Sequence, residues 1–291
     1  MATLVAAPGR VRVNAIVFAC RTVMERIYSI DDPRVAAYRS LPDRTLRGEN
    51  VFVTEGRILT LRLLASPYAT DSVFVAEQHA EEFADVVGDD VPLYAARESL
   101  LKEVVGFDFH QGVLASGRRG KLPTPDELVG RKPLDAPLRL VICPETTKPE
   151  NLGLIFRSAA GFDVDGVLLG ERCRDPFSRR SLRLSMGGVL QVPFSKSADL
   201  LDDMRRLQGR WQVELVAAVL DARAERLPHF HWSRRTALVF GNEYHGLRAP
   251  WLSPCDRLVT IPMKPGVDSL NLGVAAGIFL YELTKATAGF E

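Results

Sequence analysis

Short apolar runs alternate with amphipathic stretches twice along the chain, and an interval rich in proline and glycine separates the two series. In the first series, apolar runs predict strands over 51–54, 73–75, 92–95 and 112–115. Between them, stretches with apolar residues at helical spacing predict helices over 55–64, where Ile58, Leu61 and Leu64 share a face, and over 79–87 and 98–105. Ahead of these, 29–46 reads as a capped helix. Ser29 or Asp31 is its N-cap, Pro33 sits in its first turn, Val35, Tyr38 and Leu41 fall at helical spacing, and Pro42 is its stop. The interval 117–137 carries four prolines and three glycines and reads as a linker. Beyond it the rhythm restarts. Strands are expected over 138–143, 166–169, 191–194, 213–220, 237–240 and 258–261, and helices over 151–161, 182–190, 198–207 and from Leu270 onward. The near-continuous apolar runs at 213–220 and 237–240 suit parallel strands buried on both faces.

This alternation defines an α/β protein, and 291 residues is a length for about two domains. The expected division is an N-terminal extension over 1–45, partly helical, a small α/β domain over 46–117, a linker over 118–137, and a larger parallel-sheet domain over 138–291. Residues 1–25 hold only a short apolar patch behind Arg10 and Arg12, a poor secretory signal, and contribute nothing to this fold expectation. No apolar run approaches the ~20 residues of a membrane span. The composition, 46% hydrophobic and 25% charged, is that of a soluble globular chain. Four well-separated cysteines without a CxxC pair argue against a metal centre or disulfide framework and favour a reducing, cytoplasmic setting. The formal net charge of +1 hides an uneven distribution. Arginines crowd 10–47 and 172–183, basic residues recur at Arg118, Arg119 and Lys121, and 77–90 is acidic. Such patches can engage phosphates, although a charge run is more often a solvated face.

Several chemistries lack their minimum parts. There is no GxSxG elbow, no Walker loop, and no GxGxxG following a strand. His229 and His231 stand two apart with no third ligand near, as in an ordinary surface turn. The run from Ser185 to Gly188 suits either a backbone nest or a tight packing turn. Three clusters remain. On the helix opening at Asn151, Arg157 lies among apolar and small residues, so its permanent charge needs an anionic partner or an open cleft, unless it is a snorkelling structural arginine. Glu243 follows a strand end, flanked by Asn242 and by Gly241 and Gly246, which permit close backbone approach. The third cluster runs from Ile261 to Asn271, with Ser269 as expected N-cap of the last helix. Both strand-end loops lie where open α/β sheets bind ligands.

Taken together and in this order, the clusters resemble the SpoU-type (SPOUT-class) RNA 2′-O-ribose methyltransferases. The matching stretches are NLGLIFRSAAGF from Asn151, FGNEYHGL from Phe240 and IPMKPGVDSLNLGVAAGIFLYE from Ile261. The intervening SLRLSMGGVLQVPF is similar to the family's serine–glycine turn, and VFVTEGRILTLRLL with FHQGVLA looks like its N-terminal RNA-recognition domain of ribosomal-protein type. The resemblance implies a C-terminal SPOUT domain with a trefoil knot, S-adenosyl-L-methionine as cofactor, a homodimer, and RNA as substrate. The dedicated N-terminal domain puts ribosomal RNA before transfer RNA, and the cysteine spacing and hydropathy above add the expectation of no metal and no membrane. The resemblance places Gly241, Ile261 and Leu270 on the cofactor and Asn151, Arg157, Glu243, Ser269 and Asn271 in the catalytic pocket. There, Arg157 would stabilise the developing alkoxide and grip the adjacent phosphate, while Glu243 and Asn271 orient Arg157 and the ribose. Two departures stand out: Gly273 where the family usually has serine, and Tyr244–His245 where smaller residues are common. The competing readings are a non-catalytic RNA-binding homologue and a small-molecule enzyme of another α/β family.

Overall fold

The computed structural model describes residues 22–41, 50–264, 266 and 269–288. The first series of elements builds a five-stranded mixed sheet. Its strands are β1 (Met24–Arg26), β2 (Val51–Glu55), β3 (Thr70–Ala76), β4 (Leu93–Ala96) and β5 (Val113–Arg118), arranged in the order β1-β4-β3-β5-β2. Strands β1, β4 and β3 run parallel, while β5 is antiparallel to both β3 and β2. Helices α1 (Arg57–Leu64), α2 (Ala80–Ala84) and α3 (Glu98–Val105) connect them. Gly106, at φ +83°, ends α3 in the left-handed conformation that favours glycine.

The helix expected over 29–46 is a shorter 3₁₀ turn, Pro33–Tyr38, capped by Asp32 rather than by Ser29 or Asp31. It stops before Pro42, which lies outside the described residues. The cause is tertiary: the N–H groups of Ser40 and Leu41 donate to the carbonyls of Val104 and Val105 at the end of α3. Tyr38 is fully buried, and its hydroxyl bonds Ser72 and accepts from the Ser116 N–H, tying the turn to the sheet.

The expected linker is partly folded. Thr124 and Glu127 form a reciprocal capping box that starts α4 (Pro125–Val129). Leu128 and Val129 are buried with Leu138, Leu140 and Leu168, so this segment is pinned to the second sheet.

The second sheet has seven strands: β6 (Leu138–Cys143), β7 (Gly166–Leu169), β8 (Phe194–Lys196), β9 (Glu214–Ala218), β10 (Glu225–Arg226), β11 (Arg235–Phe240) and β12 (Arg257–Thr260). Their order is β10-β12-β9-β11-β6-β7-β8, and every pairing is parallel. Helices α5 (Pro149–Gly161), α6 (Arg179–Leu184), α7 (Leu200–Gly209), α8 (Ala249–Leu252) and α9 (Leu272–Ala288) complete it. The continuous helix expected over 182–190 is broken, because Met186 (φ +50°) and Gly187 (φ +77°) turn left-handed before a 3₁₀ turn, Gly188–Leu190. At Gly188 a Cβ would lie 2.6 Å from the Phe156 carbonyl oxygen, so the serine–glycine turn packs on the backbone of α5. The following strand starts at Phe194, not at 191, because the Val192 N–H is still bonded to Gly188.

One hydrophobic core runs through both sheets. Phe177, in the segment after β7, stacks on Phe52 of β2 with ring centroids 4.6 Å apart and meets Tyr68 and Phe194 edge-on or tilted. Ion pairs reinforce that junction: Arg179 with Glu55, and Arg119 with Asp175 at 2.7 Å.

Candidate active site

Because all seven strands of the second sheet run parallel, their carboxyl ends share one edge, and the loops after β6, β11 and β12 gather there. The loop after β11 is tight. Asn242 and Gly246 exchange backbone hydrogen bonds, both 2.9 Å, and Gly246 takes φ +61°. A Cβ at Gly241 would fall 2.2 Å from the Gly246 carbonyl carbon, so only glycine allows the loop to fold back on itself. The Asn242 side chain accepts from the Tyr244 and His245 N–H groups and donates to the Glu145 carbonyl at 2.9 Å.

This turn aims Glu243 at the loop after β6. Its carboxylate accepts from the Thr147 N–H (3.1 Å), the Thr147 hydroxyl (2.9 Å), the Lys148 N–H (2.8 Å) and the Asn151 amide (3.2 Å). The Asn151 amide oxygen in turn accepts from the Asn271 amide at 2.8 Å. Asn271 finally caps α9, its side-chain oxygen accepting from the N–H groups of Gly273 (2.9 Å) and Val274 (3.3 Å). Asn151, Glu243 and Asn271, from three separate parts of the chain, thus form one continuous hydrogen-bonded relay.

The electrostatics of Glu243 follow from these bonds. Partial burial pushes its carboxyl upward, but donation from the Lys148 and Thr147 backbone and from Asn151 outweighs burial and holds it below the ordinary carboxylate value. Glu243 is therefore an anion whose acceptor sites are already engaged, a poor general base and a good anchor.

Two sequence expectations need correction here. The cap of the last helix is Asn271, not Ser269; Ser269 is exposed and precedes the first helical residue by three positions. Glu243 and Asn271 orient Asn151 and the Thr147–Lys148 backbone, not Arg157. Arg157 projects from α5 as an exposed cation whose side chain makes no hydrogen bond or ion pair with any described residue. His229 and His231 fall in a 3₁₀ turn and the segment after it, and no cluster of three or more metal-type side chains occurs among the described residues.

Sequence reasoning missed Thr147 and Lys148. The signal was Pro149, whose place in the first turn of α5 keeps Lys148 in extended backbone, free to aim its N–H outward from the helix. It also left open what Gly273 does. A Cβ there would lie 2.5 Å from Leu154 Cβ, so the close crossing of α9 over α5 requires glycine with Leu154 opposite.

At the positions expected to hold a cofactor, Gly241 is buried and Ile261 and Leu270 are half-buried. Strand β9 separates β11 from β12, placing the loops after them about 10 Å apart. Leu220, just past the end of β9, is 63% exposed, an apolar side chain between the two loops. The N–H groups of Ile261 and Leu270 donate to no described backbone carbonyl. An apolar wall flanked by uncommitted backbone donors of the loop after β12 suits a flat heteroaromatic ligand.

Comparison with known proteins identifies the family. Residues 138–281 match the family model described as the SpoU rRNA Methylase family. An uncharacterized tRNA/rRNA methyltransferase of Mycobacterium bovis is 35% identical over 265 residues, covering 88% of this chain and 90% of the relative. The 23S rRNA (guanosine-2'-O-)-methyltransferase RlmB of Acinetobacter baylyi is 32% identical over 201 residues, 67% of this chain and 78% of that one. Among solved structures, the AdoMet-bound rRNA methyltransferase from Sinorhizobium meliloti superposes with a TM-score of 0.74 at 25% identity, covering 90% of this chain and 97% of the other. With three motifs joined by one relay and similarity extending over most of its length, the chain belongs to the SpoU methylase family and is an RNA methyltransferase.

Proposed function

We propose that this protein methylates a ribose 2′-hydroxyl of ribosomal RNA with S-adenosylmethionine as donor, working as a homodimer whose C-terminal sheet is closed by a trefoil knot. The observation that carries the reading is the Asn271–Asn151–Glu243 relay, which locks the three motif segments into a single pocket rim. S-adenosylmethionine, when bound, supplies a sulfonium methyl, and Gly241, Ile261 and Leu270 are the residues that would hold it. Support for that fit comes from the apolar wall at Leu220 and the uncommitted backbone N–H groups of Ile261 and Leu270.

The chain's own contribution is positioning and charge. A ribose hydroxyl attacks only as it gives up its proton, so negative charge grows on its oxygen. Arg157, a guanidinium without an anionic partner among the described residues, is the group to meet that charge or the neighbouring phosphate. Asn151, held at both ends of its amide, presents a fixed rim beside the acceptor. Glu243 keeps the 147–148 backbone in place and takes no proton. Holding acceptor and donor in line supplies much of the remaining acceleration.

Homodimer formation is supported by α9, where Val274, Ile278 and Tyr281 follow i, i+4, i+7 spacing and are 49%, 37% and 46% exposed. The return of α9 onto α5, after the chain has crossed β9 to form β12, supports the knot. The preference for ribosomal RNA rests on the separate N-terminal sheet and on the activity that the Acinetobacter relative is named for. Free Cys143, Cys173 and Cys255 support a reducing, cytoplasmic setting.

The test is methyl transfer from labelled S-adenosylmethionine to RNA from cells lacking this protein, followed by digestion to nucleosides. Label in a 2′-O-methylnucleoside of ribosomal RNA is expected. Label on a base, or in transfer RNA alone, would overturn the assignment.

A further inference from the structure

A cleft of about 1350 Å³ lies between the N-terminal sheet and the segment joining β7 to α6. It exceeds the roughly 300–1,000 Å³ of small-molecule sites, and none of Gly241, Ile261 and Leu270 lines it. Seven basic side chains but only two acidic ones face it. The two acids are already engaged: Glu55 binds Arg179 and Asp175 binds Arg119, pairs that fasten the two sheets together. That leaves Arg172, Arg174, Arg180, Arg183 and Lys196, all exposed. Arg172 shares Glu145 with Arg248, and Arg180 meets Glu150 while its side chain stays 68% exposed. Arg174 donates to the Thr147 carbonyl at 2.8 Å. The side chains of Arg183 and Lys196 have no hydrogen-bond or ion-pair partner among the described residues.

The cleft is continuous with the active site. Thr147 lines it and also donates two hydrogen bonds to Glu243. Phe177, in the same arginine-bearing segment, is clamped against Phe52 and Tyr68 of the N-terminal side, so these cations stand on a rigid wall.

We propose that this cleft is the track for the substrate's phosphodiester backbone, with the wall from Arg172 to Arg183 and Lys196 gripping phosphates of the RNA strand that enters the pocket at Thr147. The assignment rests on the RNA reading given above. A polyanion is the ligand this lining fits, since phosphate contacts from Arg and Lys position a strand without reading its sequence.

The experiment compares the full-length protein with Arg183→Gln/Lys196→Gln, two exposed side chains outside the relay, and with Arg205→Gln/Arg226→Gln, which removes equal charge away from the cleft. Affinity for a fluorescein-labelled mixed-sequence oligoribonucleotide is measured across a salt series. The cleft pair should bind severalfold more weakly, and its log–log salt slope should fall by about 0.7 for each phosphate no longer neutralised. KM for RNA should rise at constant kcat, while affinity for S-adenosylhomocysteine stays at the wild-type value. Arg180→Gln, a separate single change, should move the same readouts in the same direction. Slopes and KM equal to those of the control pair would overturn the cleft assignment alone. Failure of the wild type to bind or methylate any RNA would overturn the function with it.

Discussion

Glu243 shows how one side chain organises a site without doing its chemistry. Its four hydrogen bonds come from a loop about a hundred positions earlier in the chain and from Asn151. Glu243→Gln turns one acceptor oxygen into a donor that faces N–H groups, and a loss of about 1–3 kcal/mol in unfolding stability is expected, read from denaturant midpoints. The sign of the pH dependence follows from its lowered carboxyl. Its stabilising contribution is full above the unfolded-state value and disappears as pH falls through the lower folded-state value. Wild-type stability should therefore drop more steeply than that of Glu243→Gln in the acid range below the ordinary carboxylate value; parallel curves would refute the anchor role. Asn271→Ala removes both the Asn151 bond and the cap of α9, and should cost about 1–2 kcal/mol by the same measurement.

Among the elements, α9 crosses α5 at close quarters. With Leu154 Cβ 2.5 Å from the place a Cβ would take, Gly273→Ser forces the helices apart. A loss of about 1–3 kcal/mol is expected, visible as a lower thermal midpoint. The serine that the resemblance leads one to expect at this place would thus meet a specific neighbour here. Regular elements were legible wherever periodicity and packing agreed: α3 has its expected bounds, and the parallel strands lie where long apolar runs predicted them. Elements went astray where tertiary bonds or local caps overrode composition. The turn Pro33–Tyr38 is cut short by bonds to the end of α3, which are invisible in the local sequence. Helix α4 was hidden by the proline and glycine content of the interval around it, although the spacing of Thr124 and Glu127 announced it. The site was legible as three motifs; that Asn271 bonds Asn151, and that Arg157 stands apart from Glu243, depends on distances between segments that no local pattern encodes.

For the whole molecule, the proposed dimer and the proposed reaction are separately testable. Replacing Ile278 with Asp puts a charge in the apolar stripe of α9, and sedimentation should then show a shift from dimer to monomer; an unshifted dimer would place the interface elsewhere. The reaction turns on Arg157, the exposed cation of α5. Single-turnover methyl transfer to ribosomal RNA, with wild type and Arg157→Ala compared at saturating S-adenosylmethionine, isolates its part. The expected rate is about 10²–10³-fold lower in the variant, as for loss of an oxyanion-stabilising donor, with unchanged affinity for S-adenosylhomocysteine. Equal rates for the two proteins would contradict a role for Arg157 in the transfer.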